Sequence, residues 1–173
     1  GAQVASCEKY AALNVAMMSS AAPMKGLRGS LASALYNDTV VVAGGWNGSV
    51  SLSSCEQYNE NTNIWSPFPS IATARYGFGA TVAFGKIFVA GGYNGVFLSS
   101  VEVYAGSSWT FLSPSLTVSR DSCAAVNFNN ALVVIGGNQP SVEVYSPTTN
   151  SWSTSLIRQM NTASRFYLAA VSF

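Results

Sequence analysis

Histidine is absent from the 173 residues of this chain. The commonest general base and metal ligand is therefore missing, and with it any Ser-His-Asp or Cys-His catalytic arrangement. The cysteines show no metal-site spacing, and no glycine-rich phosphate loop opens a helical pattern. We therefore predict a non-enzymatic protein with no catalytic residues, no metal site and no cofactor.

Charge is also scarce, since 9% of the residues are charged and the net charge is +1. Such a chain has no field that would attract nucleic acid or an anionic membrane surface. No apolar run reaches the roughly 18 residues of a membrane-spanning helix. Residues 1–6 lack the basic segment and apolar core of a signal peptide. The first residue is Gly1 rather than Met, which predicts a chain that is processed or excised.

A short apolar stretch that ends in Gly-Gly occurs three times. The first glycines of the pairs are 47 and then 45 residues apart. A fixed period of this size is typical of repeat architectures. The three pairs are Gly44 and Gly45, Gly91 and Gly92, and Gly136 and Gly137.

Other residue types keep a constant place relative to these glycines. An arginine stands 16 residues before each pair and recurs 45 residues after the third copy, which gives Arg28, Arg75, Arg120 and Arg165. A Glu-x-Tyr triplet follows each pair, with one early copy, and its members are Glu8, Tyr10, Glu56, Tyr58, Glu102, Tyr104, Glu143 and Tyr145. A tryptophan comes next, at Trp65, Trp109 and Trp152. Four features in one order indicate that the repeat runs through the whole chain.

This order resembles the kelch repeat, whose unit of about 50 residues carries an arginine, an apolar strand ending in Gly-Gly, then tyrosine and tryptophan. The resemblance implies an all-β chain folded as a kelch-type β-propeller, in which each repeat is a four-stranded blade. It implies one domain over residues 1–173, with complete repeats at about 28–74, 75–119 and 120–164 and partial repeats at about 1–27 and 165–173. One fold hosts many functions, so the resemblance alone assigns none.

The apolar and small-residue runs predict where the strands lie. In the partial first repeat, residues 4–10 and 14–18 are predicted as third and fourth strands, and residues 20–23 as a loop. The complete repeats predict strands at 30–36, 39–43, 53–58 and 64–67, at 77–84, 87–90, 99–104 and 108–112, and at 123–128, 131–135, 141–145 and 151–155. Residues 166–173 are predicted to open a further blade. Blades covered on both faces explain why the inner strands are almost continuously apolar.

The repeated arginines and glutamates account for eight of the 15 formal charges. A catalytic residue is needed once, whereas these recur in every blade. Charges kept inside a packed fold are normally paired and hydrogen-bonded. We therefore expect them to pair with each other or to satisfy buried polar groups, and we expect the repeated tyrosines and tryptophans to fill contacts between blades.

The three cysteines predict no disulfide framework. Cys7 and Cys55 occupy one repeat position at which valine stands in the later repeats, and Cys123 is alone in another strand. A position that accepts either cysteine or valine indicates a buried free thiol. Free thiols favour a reducing, cytoplasmic compartment, whereas glycosylation sequons at Asn37 and Asn47 leave secretion open.

Function is better sought where the repeats differ. In kelch propellers, the loop after Gly-Gly and the segment after the arginine gather at one end of the central channel, and that face commonly binds protein segments or small ligands. The resemblance therefore implies a binding surface made of Trp46, Asn47, Tyr93, Asn94, Asn138, Tyr76, Ser122 and Tyr167. Aromatic anchors among adaptable polar groups suit protein recognition, and also sugar stacking. The alternative for Asn47 and Asn94 is that Asn-Gly simply forms a turn.

We therefore expect a kelch β-propeller binding module that mediates protein–protein interaction through the loops at one end. Two alternatives stay open. One is a self-assembling structural or filament-forming subunit, and the other is a carbohydrate-binding or sugar-modifying protein. The expected partner is a protein or further copies of the chain, with no nucleic acid and no membrane.

Ring closure bears on the state of assembly. Propellers often complete the last blade with strands from both chain ends. Here residues 166–173 supply a first strand and residues 4–18 supply a third and a fourth, so the second strand is missing. A first strand cannot pair with a third across a gap of about 9–10 Å. We expect either that the residues belong to a longer chain or that copies associate through open edges into a ring or filament.

Overall fold

The computed structural model describes residues 7–9 and 19–154, with side chains from residue 21 onwards. Strands β1 (Cys7–Lys9) and β2 (Ser19–Ala21) form a two-stranded antiparallel sheet. The remaining described strands form three four-stranded antiparallel sheets, and these residues contain no helix.

Each four-stranded sheet takes its strands in chain order, as a propeller blade does. The first blade contains β3 (Ala32–Tyr36), β4 (Thr39–Ala43), β5 (Cys55–Asn59) and β6 (Ile64–Phe68). The second contains β7 (Gly79–Ala83), β8 (Lys86–Ala90), β9 (Val101–Tyr104) and β10 (Trp109–Leu112). The third contains β11 (Cys123–Phe128), β12 (Ala131–Gly136), β13 (Val142–Ser146) and β14 (Ser151–Ser153). The predicted all-β architecture with three complete blades is confirmed.

Some strands begin two residues later than predicted. β3 begins at residue 32 rather than 30 and β7 at 79 rather than 77, because Ser30 and Gly77 have φ angles of 49° and 63°, which interrupt extended backbone. The third strands β5, β9 and β13 also begin one or two residues late, at 55, 101 and 142. The backbone carbonyl of the serine before each of them accepts a hydrogen bond from an arginine side chain. The other boundaries of the three blades differ from prediction by at most two residues.

The prediction of a loop at residues 20–23 is wrong for its first half. Ser20 and Ala21 belong to β2, which pairs with β1 so that Cys7 lies opposite Ala21. Small side chains such as these are typical of loops, so nothing in the sequence indicated a strand here. The strand ends before Pro23 because proline has no N–H to donate. Residues 14–18 and 155–173, and with them Arg165 and Tyr167, lie outside the described residues, as do Tyr10 and the side chains of Cys7 and Glu8.

The constant spacing between arginine and Gly-Gly corresponds to one hydrogen bond. In each blade, an arginine Nη1 donates to the carbonyl of the glycine 16 residues later, at 3.0, 2.6 and 2.9 Å in the first, second and third blade. The same Nη1 donates to the serine carbonyl that precedes the third strand. The arginine therefore joins the end of the second strand to the start of the third.

Each arginine also forms a buried ion pair with the glutamate of its own blade. The Nη2–Oε1 distances are 2.7 Å for Arg28–Glu56, 2.8 Å for Arg75–Glu102 and 2.6 Å for Arg120–Glu143. In the second and third blades both side chains are 0% exposed. Burial lowers the pKa of Arg75, and the Glu102 carboxylate opposes this by favouring the charged guanidinium. The ion pair is what makes two buried charges tolerable.

The glutamates also hold the connections between blades. The Glu102 carboxylate accepts hydrogen bonds from the backbone N–H groups of Ala72 and Thr73, at 2.6 and 2.9 Å. Glu143 accepts from Thr117 and Val118 in the same way, at 2.7 and 3.4 Å. These residues lie in the connections that precede the second and third blades. Each glutamate therefore ties its blade to the chain segment that arrives from the previous one.

The core lies between the blades. Val41 on β4 packs in one cluster with Ile87 and Val89 on β8, which joins the first blade to the second. Phe88, which points to the opposite face of β8, packs in another cluster with Leu132 on β12 and joins the second blade to the third. The inner strand β8 is thus covered on both faces, as the continuous apolar runs predicted.

The repeated tyrosine and tryptophan meet in each blade. Their ring centroids are 5.1, 5.5 and 5.3 Å apart in the first, second and third blades. Trp65, Trp109 and Trp152 are buried, and each indole N–H donates to a backbone carbonyl before its blade, at 2.8, 2.8 and 3.0 Å. A buried indole needs such a partner for its one donor. These tryptophans therefore anchor the outermost strand to the preceding connection.

Glycine is required where the next blade approaches the second strand. A Cβ atom on Gly44 would lie 2.6 Å from the Arg75 carbonyl oxygen, and one on Gly91 would lie 2.6 Å from that of Arg120. Both glycines also have positive φ, at 55° and 72°. A side chain at either position would strain the backbone and displace the neighbouring blade.

Cys55 and Cys123 are buried free thiols. Cys123 packs in the cluster between the second and third blades, and its S–H donates weakly to the Ala90 carbonyl at 3.5 Å. Burial raises the pKa of Cys55, and it raises that of Cys123 to about 11. Both thiols are therefore protonated and poorly nucleophilic at neutral pH.

Removing one arginine tests the buried ion pairs. The substitution Arg75→Met leaves the Glu102 carboxylate buried without its cation and should lower the free energy of unfolding by about 3–5 kcal/mol. Lys86→Met removes an exposed positive charge from the same blade and should change it by less than about 0.5 kcal/mol. Denaturant unfolding followed by tryptophan fluorescence measures both, and similar effects of the two substitutions would contradict a structural role for Arg75.

Comparing two tryptophans separates scaffold from surface. Trp109→Ala should cost about 3–5 kcal/mol of unfolding free energy, because it leaves a cavity between blades and strips the Pro69 carbonyl of its donor. Trp46 is only partly buried, so Trp46→Ala should cost no more than about 1–2 kcal/mol. Denaturation midpoints and slopes give both values. Equal losses would show that Trp46 belongs to the scaffold.

Candidate functional site

In the first and second blades, the residue after Gly-Gly is hydrogen-bonded to the residue after the repeated arginine. In the first blade, the backbone groups of Trp46 and Gly29 exchange two hydrogen bonds of 2.9 Å. In the second, Tyr93 donates to Tyr76 at 2.9 Å and accepts from it at 3.1 Å. The two sets of variable segments singled out in the sequence therefore meet at one end of the blades.

Four aromatic rings form a continuous strip across the first and second blades. The ring centroids of Trp46 and Tyr76 are 5.4 Å apart with an interplanar angle of 57°. Tyr76 and Tyr93 follow at 5.6 Å and 65°, and Tyr93 and Phe97 at 5.3 Å and 60°. Such tilted and edge-to-face contacts are favourable geometries for aromatic pairs. We call Trp46, Tyr76, Tyr93 and Phe97 the aromatic strip.

Phe97 was not predicted from the sequence. It lies in the loop after the second Gly-Gly, pairs with Tyr93 through an isolated bridge and leaves 50% of its surface exposed. Its neighbour Val96 is 63% exposed. Two adjacent apolar residues in a loop, at positions no repeat feature occupies, are the signal that could have indicated this part of the surface.

A groove with a volume of about 510 Å³ lies beside the strip. A concave site with aromatic walls and a few polar groups is typical of ligand-binding surfaces. None of its lining residues is charged, and four of them, Trp46, Tyr76, Tyr93 and Asn94, belong to the surface predicted from the sequence. The others are Ser49, Val50, Ser51, Ala74 and Gly95.

Asn47 serves its own loop. Its side-chain Oδ1 accepts hydrogen bonds from the backbone N–H groups of Ser49 and Val50, both at 2.9 Å. This is the turn-forming role that was the alternative reading of Asn-Gly. Asn94 differs, because its side chain makes no such turn-forming hydrogen bond and the residue lines the groove. Asn47 therefore shapes the groove wall without lining it.

The third blade places its predicted surface residues differently. Ser122 is only 8% exposed and has a φ angle of 52°, and its backbone N–H donates to the Gly77 carbonyl of the second blade. It therefore contributes to blade docking and offers little surface. Asn138 is partly buried and does not line the groove. Tyr167 lies outside the described residues.

Charge is absent from the groove wall but present just beneath it. Arg75 lies between Ala74 and Tyr76 in the chain, yet it is 0% exposed and bonded to Glu102, Ser100 and the Gly91 carbonyl. A guanidinium held in this way cannot turn outwards to meet an anionic ligand. The groove therefore presents aromatic rings, hydroxyls and an amide.

A second concavity, of about 400 Å³, lies on the outer face of the first blade. Its wall includes Val42, Tyr58 and Trp65, and also Leu35 and Val40, which are 63% and 38% exposed. Within residues 21–154, the corresponding faces of the second and third blades are covered by the blade before them, whereas this face is met by Ala21, Ala22 and Met24. We call this surface the open blade face.

The described ranges, 7–9 and 19–154, contain no helix long and apolar enough to cross a membrane. Within the same ranges, no three His, Cys, Asp or Glu side chains lie close enough together to hold a metal ion.

A family model and the curated relatives agree on one family. The family model of the kelch motif matches residues 27–71, 74–115 and 119–154. An F-box/kelch-repeat protein of Arabidopsis thaliana is 36% identical over 118 residues, covering 61% of this chain and 31% of that protein. Human Kelch-like protein 23 is 27% identical over 163 residues, covering 88% of this chain and 28% of its own length. The chain thus spans less than a third of either relative.

One solved structure, described as the structure of YjhT, matches with a TM-score of 0.74 and 17% identity, over 86% of this chain and 57% of that one. At this identity the match speaks for the fold alone. The three motif matches coincide with the first, second and third blades and together cover more than half of the residues. The chain therefore belongs to the kelch-repeat family.

Proposed function

We propose that this chain is a non-catalytic binding module which holds a protein partner on the aromatic strip and in the groove beside it. The observation that carries the proposal is the strip itself, four rings in mutual contact across two blades, beside a concave and uncharged wall. We further propose that the repeats act as one domain over residues 1–173. The partner is a segment of another protein.

The composition of the strip supports protein recognition. Tryptophan and tyrosine are enriched among the few residues that carry most of the binding energy at protein interfaces. The hydroxyls of Ser49 and Ser51 and the amide of Asn94 surround the rings, and such groups give adaptable hydrogen bonds. The name of one relative, the human influenza virus NS1A-binding protein, records a protein ligand for that relative, which is 37% identical over 73 residues, or 42% of this chain and 11% of its own length.

The rigidity of the strip supports the proposal as well. Reciprocal backbone hydrogen bonds hold Trp46 to Gly29 and Tyr93 to Tyr76. The side chains therefore lose little further freedom when a partner binds, and this pre-organisation improves affinity. No residue of the scaffold core has to move for a ligand to reach the rings.

Replacing strip residues tests the proposal. Peptides selected from a random displayed library against the 173-residue chain should bind Trp46→Ala or Tyr93→Ala at least about thirtyfold more weakly, the effect of losing one central anchor. Phe111→Ala, which removes a 58% exposed ring from β10 away from the strip, should bind unchanged. Isothermal titration measures the affinities, and thermal unfolding checks that each variant folds.

Selected peptides whose affinity is the same for wild type and both strip variants would contradict the proposal. A loss of binding shared by Phe111→Ala would also contradict it, since the effect would then not be specific to the strip.

The open blade face favours a second function, assembly with another copy. Leu35 and Val40 leave apolar surface exposed on a face that every other described blade buries. Exposed apolar patches of this kind mark interaction sites. We propose that the chain associates through this face, so that a blade of a second copy covers it as the first blade covers the second. Association of this head-to-tail type builds rings or filaments.

Placing charge on the open blade face tests the assembly. At concentrations of about 100 μM, the chain should sediment as species heavier than its 18.1 kDa monomer. Burial of the exposed apolar surface would drive this association. Leu35→Lys combined with Val40→Lys should shift it to monomer, whereas Phe111→Lys on the outer strand should not. A wild-type chain that remains a folded monomer at every concentration would exclude the assembly.

A further inference from the structure

The indole of Trp46 differs from those of the other three tryptophans. Trp65, Trp109 and Trp152 each donate their N–H to a backbone carbonyl. The N–H of Trp46 has no hydrogen-bond partner among residues 21–154 and is not enclosed by the protein. An indole offers one donor and no acceptor. The groove wall therefore carries a free donor beside an exposed ring face.

Other groups at the groove can donate too. The Tyr93 hydroxyl, the Asn94 side-chain amide and the hydroxyls of Ser49 and Ser51 make no hydrogen bond within the described part of the chain. The acceptor of Asn47 is already used by its own loop. The hydroxyls and the amide can accept as well as donate, whereas the indole can only donate, so a ligand must bring an acceptor to the Trp46 N–H.

The charges around the groove disfavour an anionic ligand. Arg75 is buried and committed to Glu102, so no cation from residues 21–154 lines the groove. A negatively charged segment would lose hydration here without gaining a counter-ion.

Taking the proposed function as its basis, we infer that the groove binds an extended, uncharged, proline-containing peptide segment. Proline has no N–H, so its backbone offers acceptors alone. Proline-rich segments adopt the polyproline II conformation, in which the carbonyls point outwards and the rings are exposed. Grooves lined by aromatic side chains recognise such segments, and little conformational entropy is lost because the ligand is already extended.

The ring geometry favours such a segment over a neutral sugar. Sugars stack on a flat aromatic face, whereas neighbouring rings of the strip are inclined to each other by 57° to 65°. The strip therefore presents ridges and notches that suit the small, separate rings of successive prolines.

Three matched peptides test this inference on the 173-residue chain. They are a capped decaproline, a capped decapeptide alternating proline and glutamate, and a capped Gly-Ser decapeptide. Titration calorimetry should show decaproline binding at least about tenfold more tightly than either of the others. Trp46→Phe keeps a ring but removes the N–H, and should weaken decaproline binding about fivefold, the effect of one hydrogen bond. Phe111→Ala should leave it unchanged.

Equal affinity for the proline–glutamate peptide would overturn the inference, and so would equal affinity for the Gly-Ser peptide. Decaproline binding that is insensitive to Trp46→Phe, or absent at millimolar concentration, would overturn it as well. Maltohexaose, a neutral oligosaccharide, serves as the competing probe. If it binds more tightly than decaproline and this binding depends on Trp46, the ligand is a sugar and the inference is wrong.

The outcomes separate this inference from the proposed function. Library-selected peptides that depend on Trp46 and Tyr93 but contain no proline would overturn the ligand class and leave protein binding intact. If the affinity of no selected peptide depends on either residue, both the ligand class and the proposed function are wrong.

Discussion

Each blade depends on a guanidinium that is buried and must be neutralised where it lies. The arginine reaches the glycine carbonyl at the end of the second strand, the serine carbonyl before the third strand and the glutamate on that strand. The glutamate in turn accepts from backbone N–H groups of the connection that arrives from the previous blade. Leaving either charge unpaired in this environment would cost several kcal/mol. One ion pair therefore determines where two strands and one inter-blade connection lie, and the repeat spacing follows from it.

The variable surface takes its position from this repeated network. Tyr76 is next to Arg75, and its backbone pairs with that of Tyr93, the residue after the Gly-Gly whose first carbonyl Arg75 binds. Gly45 donates to the Arg75 carbonyl across the blade boundary at 2.9 Å, and this bond brings Trp46 within reach of Tyr76. The variable residues of the strip are thus held in place by the arginine and glycines that recur in every repeat. The aromatic strip is rigid because its backbone belongs to the scaffold.

The periodic features predicted the scaffold well, and local conformation limited the rest. The Gly-Gly pairs, arginines and Glu-x-Tyr triplets predicted three blades, because each recurs at a spacing set by a direct contact. The predicted strand starts at residues 30 and 77 were wrong. The sequence does not indicate that Ser30 adopts a positive φ angle. The same property hides Ser122 between blades, where the sequence predicted surface. Phe97 joins the strip only through the fold of its loop, and a repeat pattern carries no information about that.

The binding proposed for the strip depends on the docking of blades. Trp46 belongs to the first blade and Tyr76 to the second, so their contact exists only while the two blades are packed. A single blade would keep its Gly-Gly and its ion pair, but the first blade alone would present only Trp46, and the second alone would lack it. Binding energy gained on the strip is therefore also spent on holding the blades together, because a ligand that requires the docked state stabilises it by mass action. The interface between blades is for this reason part of the proposed site. Core substitutions in that interface should change the affinity for the ligand without contacting it.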